Sequence, residues 1–315
     1  MSDSCLIVTY HYVRATEDTL FPALKALAPN DFERQLDVLE KANNFISCAE
    51  LEAAIFEGGK LPEQAVLLTF DDGFRDHADV VYPILQRRGI PAIFFIAGDT
   101  LESEPRLLNV HKTHFLLAAL GAEGFVARVN DGLRELRVTT ESESRPPAEI
   151  YRYDTSDHLR VKHLLNYELP TLQADRLLAG LFTEHLGEEV AFARTLYLQR
   201  QDVRCMSEGG MTFGFHTKRH PVLARLTAAE QYSELAGGVD LIRAVSGQIS
   251  VPFCFPYGSV HTYTDETLAT LEQCGYSMAF TTARRWMMPA RDNRFEIPRF
   301  DTRDLPPFQE VIPNA

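Results

Sequence analysis

Positive charge is scarce in this sequence. Against 44 acidic side chains stand 31 lysines and arginines, a formal net charge of −13 at pH 7. Such a chain is repelled by nucleic-acid backbones and anionic membrane surfaces, and by polyanionic glycans unless a local basic pocket intervenes. No apolar run approaches the 18 or so residues that a membrane-spanning helix requires, so no stable membrane insertion is expected. The opening Met-Ser-Asp-Ser-Cys-Leu-Ile-Val has no basic n-region and its apolar stretch ends quickly, so no signal peptide is expected and the cytoplasm is the expected compartment. Cysteine is sparse too. The five, at positions 5, 48, 205, 254 and 274, form no C-x-x-C pair, which predicts reduced, buried thiols rather than a disulfide framework. No internal repeat is present.

What remains is ample for a large core: 315 residues, 45% of them hydrophobic, enough for one barrel-type domain or two ordinary ones. Apolar runs bounded by turn signals mark strands at Leu6–Thr9, Val66–Phe70, Ala92–Ile96, Met211–Phe215, Val251–Phe255, Met278–Thr281 and Glu296–Phe300. Helical patterns lie between most of them. Asn30 and Glu33 form a candidate capping box ahead of Phe32, Leu36 and Leu39. Asp79–Arg88 ends on two arginines and Gly89, with Pro83 placing the regular start of the helix near itself. Thr227–Val245 and Thr264–Cys274 each open on a threonine. Strands alternating with helices predict a parallel sheet, either doubly wound or closed.

Three of these strands end in chemistry. Val66-Leu67-Leu68 runs into Thr69-Phe70-Asp71-Asp72-Gly73, delivering two adjacent carboxylates. Met211–Phe215 runs into His216-Thr-Lys-Arg-His220-Pro221, and a helical turn after His216 would put both imidazoles on one face. Val251–Phe255 runs into Pro256-Tyr257-Gly258. Alone, Asp-Asp-Gly is ordinarily a turn, and His-x3-His is more often no metal pair. Together they sit at C-terminal strand ends, where α/β folds place their sites. Two histidines and one carboxylate make a three-ligand site with an open position, and a second carboxylate beside it supplies a base: a metal-hydrolase signature.

These segments, in this order, resemble the polysaccharide deacetylases of carbohydrate esterase family 4, the NodB-homology domain. Thr69–Gly73 is similar to that family's first motif, His216–His220 to its second and Phe255–Gly258 to most of its third. Ile90–Ile96 and Val8–Tyr12 are typical of it as well, and the resemblance covers residues 5–100 and 202–301. It implies a distorted (β/α)7 barrel, in two parts at 1–100 and 202–315. Residues 101–201, far longer than an ordinary connection between strands three and four, are read as a mostly helical insertion: a substrate cap, a surface for homo-oligomers, or a structural elaboration. Within it, Arg137–Glu149 reads as exposed and mobile, and Pro105–Leu120 and Ala174–His185 as helices. Its histidines (111, 114, 158, 163 and 185) read as solvated helix residues rather than ligands.

With these roles, Asp72, His216 and His220 hold one divalent ion, Asp71 is the base, and the Tyr257 backbone N–H is an oxyanion donor. Zinc is the default for such N2O ligation, with ferrous iron, cobalt or nickel as substitutes. The chain departs from the family pattern twice. Cys254 stands where an arginine usually tethers the base, and no Leu-x-His follows Arg299 to supply the general acid. Arg299 is the expected replacement tether. His11 is the candidate acid, with His261 second and Asp301 orienting whichever acts. The expected substrate is an acylated amino sugar, as a cytoplasmic glycan precursor on a nucleotide or lipid carrier. The alternatives are an N-formyl or cyclic-amide hydrolase on the same site, or a non-catalytic sugar-binding relative.

Overall fold

The sheet begins with two strands buried along their whole length, β1 (Cys5–Tyr10) and β3 (Ala65–Phe70). They pair in parallel, residue for residue, from Cys5 opposite Ala65 to Tyr10 opposite Phe70. In the computed structural model, which describes residues 4–135, 161–310 and 312–313, the strands follow in the order β7-β6-β5-β4-β3-β1-β8. The others are β4 (Ala92–Ile96), β5 (Thr212–Phe215), β6 (Phe253–Cys254), β7 (Ala279–Phe280) and β8 (Phe300–Asp301), with a short β2 (Asn44–Phe45) on β3. Every strand pairing is parallel. The last segment closes the ring, because Ile297 bridges Phe280 of β7 and Phe300 pairs with Val8 of β1. Seven staves result, at the places the apolar runs predicted.

Period-2 alternation sorts the strand side chains. Leu6, Val8 and Tyr10, with Val66, Leu68 and Phe70, pack outward on α1 (Pro29–Ala42) through Phe32, Leu36 and Leu39. Ile7, Leu67, Ile93, Phe95, Cys254, Phe280 and Ile297 form a separate cluster that α2 (Cys48–Phe56) covers through Leu51 and Ala54. The inward register has a consequence for the site. Counting on from Leu67 reaches Thr69 and Asp71, and from Ile297 reaches Arg299, so these polar groups sit at the C-terminal end of the interior.

Several local expectations are corrected. α1 starts two residues earlier than the Asn30 box implies, because Pro29 occupies the first turn and Ala28 precedes it without a side-chain cap. Residues 77–81 form a π-helical turn running into α3 (Tyr82–Arg88), which Gly89 ends at φ 67°. The Thr227–Val245 helix is two, α8 (Ala228–Leu235) and α9 (Gly238–Ser246), broken at Gly237 with φ 78°. Thr227 and Thr264 do cap α8 and α10 (Asp265–Cys274), each accepting from the third residue of its helix. All five cysteines are free; Cys5, Cys48 and Cys254 are buried, whereas Cys205 is exposed and Cys274 half-buried. Among the described residues no helix is long and apolar enough to cross a membrane.

Between β4 and β5 stand α4 (Asn109–Glu135, interrupted at Gly121), α5 (Thr171–Leu186), α6 (Glu189–Leu196) and α7 (Arg200–Glu208). The stretch Arg137–Glu149 lies outside the described residues. A third cluster joins Phe115, Phe125, Leu177 and Phe182 of these helices to Tyr12 and Phe74 of the barrel. The helices therefore pack directly on the turn that follows Asp72.

Candidate active site

Among the described residues Arg299 is the largest fully buried side chain, 1% exposed, and its five N–H donors are all placed. Nε donates to the Thr281 carbonyl at 3.0 Å; Nη1 donates to Thr69 Oγ1 at 3.0 Å and Asp71 Oδ1 at 2.8 Å. Nη2 donates to Asp71 Oδ2 at 2.8 Å and to the Cys254 sulfur at 3.0 Å. Thr9 Oγ1 adds a 3.2 Å bond to Asp71 Oδ2. Burial alone would raise the Asp71 carboxyl, but the guanidinium, by charge and hydrogen bond, holds it well below the usual carboxylate range. Burial keeps the Cys254 thiol protonated, against the pull of Arg299. Cys254 thus offers a small, neutral surface on which an arginine from the last stave, on the far side of β7, lies.

Asp72 breaks the alternation. Its φ is 73°, and Gly73 follows at φ 64°, so the carboxylate lies beside His216 and His220 instead of facing outward after Phe70. Among the described residues, five that are not glycine have positive φ: Gln64, Asp72, Thr217, His220 and Tyr257. Four of them line this site, the usual location of stored backbone strain. The two histidines do not share a helix face, as the spacing had suggested. Residues 216–220 form a loop, left-handed at Thr217 and His220. The His220 N–H donates to Thr217 Oγ1 at 2.9 Å, and the N–H groups of Lys218 and Arg219 donate to the buried Glu234 carboxylate at 3.1 and 3.0 Å.

The loop brings three donor atoms together. Asp72 Oδ1 lies 3.5 Å from His216 Nε2 and 3.6 Å from His220 Nε2, too long for hydrogen bonds. Ligands bonded to one tetrahedral ion at about 2.0–2.2 Å stand about 3.4 Å apart, so the spacing fits a shared ion. Asp72 Oδ1 is also buried without a hydrogen-bond partner, an arrangement an ion resolves. His216 Nδ1 lies 2.7 Å from the Cys254 carbonyl and donates to it, leaving Nε2 as the lone-pair nitrogen. Burial lowers the pKa of both rings, that of His220 to about 3, helped by its neighbour His216. Both are neutral at pH 7, the form that binds metal.

His11 follows β1 with its side chain 46% exposed and Nε2 3.9 Å from Asp71 Oδ2. Its backbone carbonyl accepts from Nε2 of the fully buried His77 at 3.0 Å. The Tyr257 ring stands edge-on to His220 at 4.9 Å. His261 is exposed, and Asp301 accepts from the Arg303 N–H at 2.8 Å.

One expectation about the histidines outside the barrel fails. His111 is fully buried, with Nε2 3.2 Å from Asp72 Oδ2 and Nδ1 2.5 Å from the Tyr197 hydroxyl. Of the other four, His163 is also buried, His114 and His185 are half-buried, and His158 lies outside the described residues. A signal was available for His111. It shares a helix face with Phe115 four residues on, which is the buried face of α4.

The family model for polysaccharide deacetylase matches residues 58–152 and 164–279, more than half of the chain. The chain belongs to the polysaccharide deacetylase family. Over 58 residues it is 40% identical to poly-beta-1,6-N-acetyl-D-glucosamine N-deacetylase of Escherichia coli K12, a match spanning 18% of this chain and 9% of that protein. A longer match, 20% identical over 278 residues, is to the putative polysaccharide deacetylase YxkH of Bacillus subtilis, covering 88% of this chain and 63% of YxkH. Among solved structures, Streptococcus pyogenes deacetylase PplD superposes with a TM-score of 0.58 at 18% identity, over 96% of this chain and 93% of PplD. IcaB from Ammonifex degensii gives 0.55 at 17% identity, over 96% and 93%. These likenesses establish the deacetylase fold.

Proposed function

We propose that this polysaccharide deacetylase is a metal-dependent hydrolase removing an N-acetyl or similar acyl group from an amino sugar. The carrying observation is the convergence of Asp72 Oδ1, His216 Nε2 and His220 Nε2 beside a carboxylate locked by Arg299. A divalent ion held by these three, zinc by the N2O donor set, would supply an acidified water and polarise the acyl carbonyl.

The chain's own groups supply the rest. Asp71, kept ionised and oriented by the two-pronged pair, takes the proton of the attacking water. The Tyr257 backbone N–H, in the strained turn beside His220, donates to the developing oxyanion. His11, next to Asp71 and open to solvent, hands a proton to the departing amine. With Arg299 in the tether role and His11 in the acid role, neither departure from the family pattern leaves a catalytic function vacant. That favours an enzyme over a non-catalytic sugar-binding protein.

For the substrate, a cavity of about 550 Å³ opens beside His11. Leu24, Leu117 and Ala118 line it with three cations, Lys25, Lys162 and Arg303, and one carboxylate, Asp301. Apolar walls carrying cations suit a single acylated amino sugar joined to a phosphorylated carrier better than a long neutral polymer. Five free thiols agree with a reducing, cytoplasmic setting for such a precursor. The test is acetate release from a panel of N-acetyl sugars, free, nucleotide-linked and polymeric, with N-formyl analogues alongside. Preferred release from the nucleotide-linked sugar supports the reading, and release from polymer alone overturns its substrate half.

A further inference from the structure

His111 stands on the first turn of α4, and no ordinary helix position explains its surroundings. The ring is fully buried and packs on Phe74 with centroids 4.7 Å apart. Its Nε2 lies 3.2 Å from Asp72 Oδ2, close enough for an ion pair but outside hydrogen-bond geometry, and is buried with no hydrogen-bond partner among the described residues. The hydrogen-bond chain behind it sets the tautomer. The Leu108 N–H donates to the Tyr197 hydroxyl oxygen at 3.2 Å, and the Tyr197 proton then points at His111 Nδ1, 2.5 Å away. With Nδ1 accepting, the ring proton is on Nε2, the nitrogen that lies beside Asp72 Oδ2.

Tyr197 is itself fixed to the barrel. It bridges Phe74 in antiparallel fashion, and the Leu198 N–H donates to the Gly73 carbonyl at 2.8 Å. The two ends of the segment between β4 and β5 therefore grip the Asp72–Phe74 turn, one through His111 and the other through Tyr197.

We infer that His111, oriented by Tyr197, is a positioning residue for Asp72: it engages Oδ2 and leaves Oδ1 alone to face His216 and His220. Asp72 is then a one-oxygen ligand, and the metal site is incomplete without the helical segment. The inference rests on the reading of Asp72, His216 and His220 as metal ligands. A wild-type protein that binds no divalent ion breaks that reading, whereas wild-type binding that is indifferent to His111 breaks only this inference.

The test measures zinc affinity by competition with a chromophoric chelator for wild type, His111→Ala, His111→Gln and Tyr197→Phe, each checked for folding by circular dichroism. Removing such an outer partner of a metal ligand typically weakens binding about 10- to 100-fold. His111→Ala is expected in that range and Tyr197→Phe a smaller way along it. His111→Gln, whose amide N–H still reaches a carboxylate, is expected close to wild type. Cobalt-substituted protein gives a second readout: a carboxylate freed to bind through both oxygens raises the coordination number, so His111→Ala should lose visible absorption intensity. Wild-type affinity and spectrum in folded His111→Ala would overturn the inference. So would equal losses in His111→Ala and His111→Gln, the pattern of a direct ligand. Should His111→Ala not fold, wild-type affinity in Tyr197→Phe overturns it equally.

Discussion

The Arg299 guanidinium and the Asp71 carboxylate face each other at the C-terminal end of the barrel interior through two parallel hydrogen bonds of 2.8 Å. Both are buried, Arg299 to 1% and Asp71 to 3% exposure. A pair so placed is held by geometry as much as by charge.

Substituting Arg299→Lys keeps the charge but gives up the fork that meets both oxygens. Metal content should be unchanged while kcat falls by about 10-fold or more, the scale of a misdirected base. Arg299→Ala leaves Asp71 buried and unpaired, a change that typically costs about 3–5 kcal/mol. It also removes the influence that lowers the Asp71 pKa, so the acid limb of the kcat/KM profile should move to higher pH. An unmoved acid limb in folded Arg299→Ala would separate Arg299 from the base.

Asp71→Asn and Asp72→Asn should fail differently. The first should retain metal and lose about 100-fold or more in turnover; the second should lose metal. Equal metal loss in both would mean the two carboxylates share the ion.

His11→Ala is expected to bind metal normally yet lose turnover on amides, whose amine leaves only when protonated. An activated ester needs no such proton and should be much less affected. Parallel losses on both substrates would assign His11 a structural part and direct attention to His261.

His77 links stability to pH. Burial pushes its pKa down to about 4, against 6.5 for a free ring. Between those values the unfolded chain binds more protons than the folded one. Stability should therefore fall as pH drops from about 6.5 toward 4, by on the order of 3 kcal/mol in total. His77→Gln should make that slope shallower in denaturant titrations, leaving the part that the buried His216 and His220 contribute, and an unchanged slope would place the titrating group elsewhere.

The barrel and the strand-end residues were legible because apolar runs, their period of 2 and the polar residues closing them are all local. Arg299 was legible in part: its place at the end of the last run implied a reach to Asp71, although β1 stands between the two staves and the long side chain crosses the interior to meet it. The His216–His220 loop was not, since the left-handed backbone of Thr217 and His220 has no marker in residues that are not glycine. The break in the Thr227–Val245 helix did have one, the Gly237-Gly238 pair. His111 needed contacts with Asp72 and with Tyr197, 86 positions away, which no local pattern around Asn109 encodes.

Most direct of all is the metal content of purified protein, measured by elemental analysis for wild type and for Asp72→Asn, His216→Ala and His220→Ala. The site described here predicts about one divalent ion per chain in wild type and loss of that ion in each variant. Metal at the same level in all four proteins would contradict it.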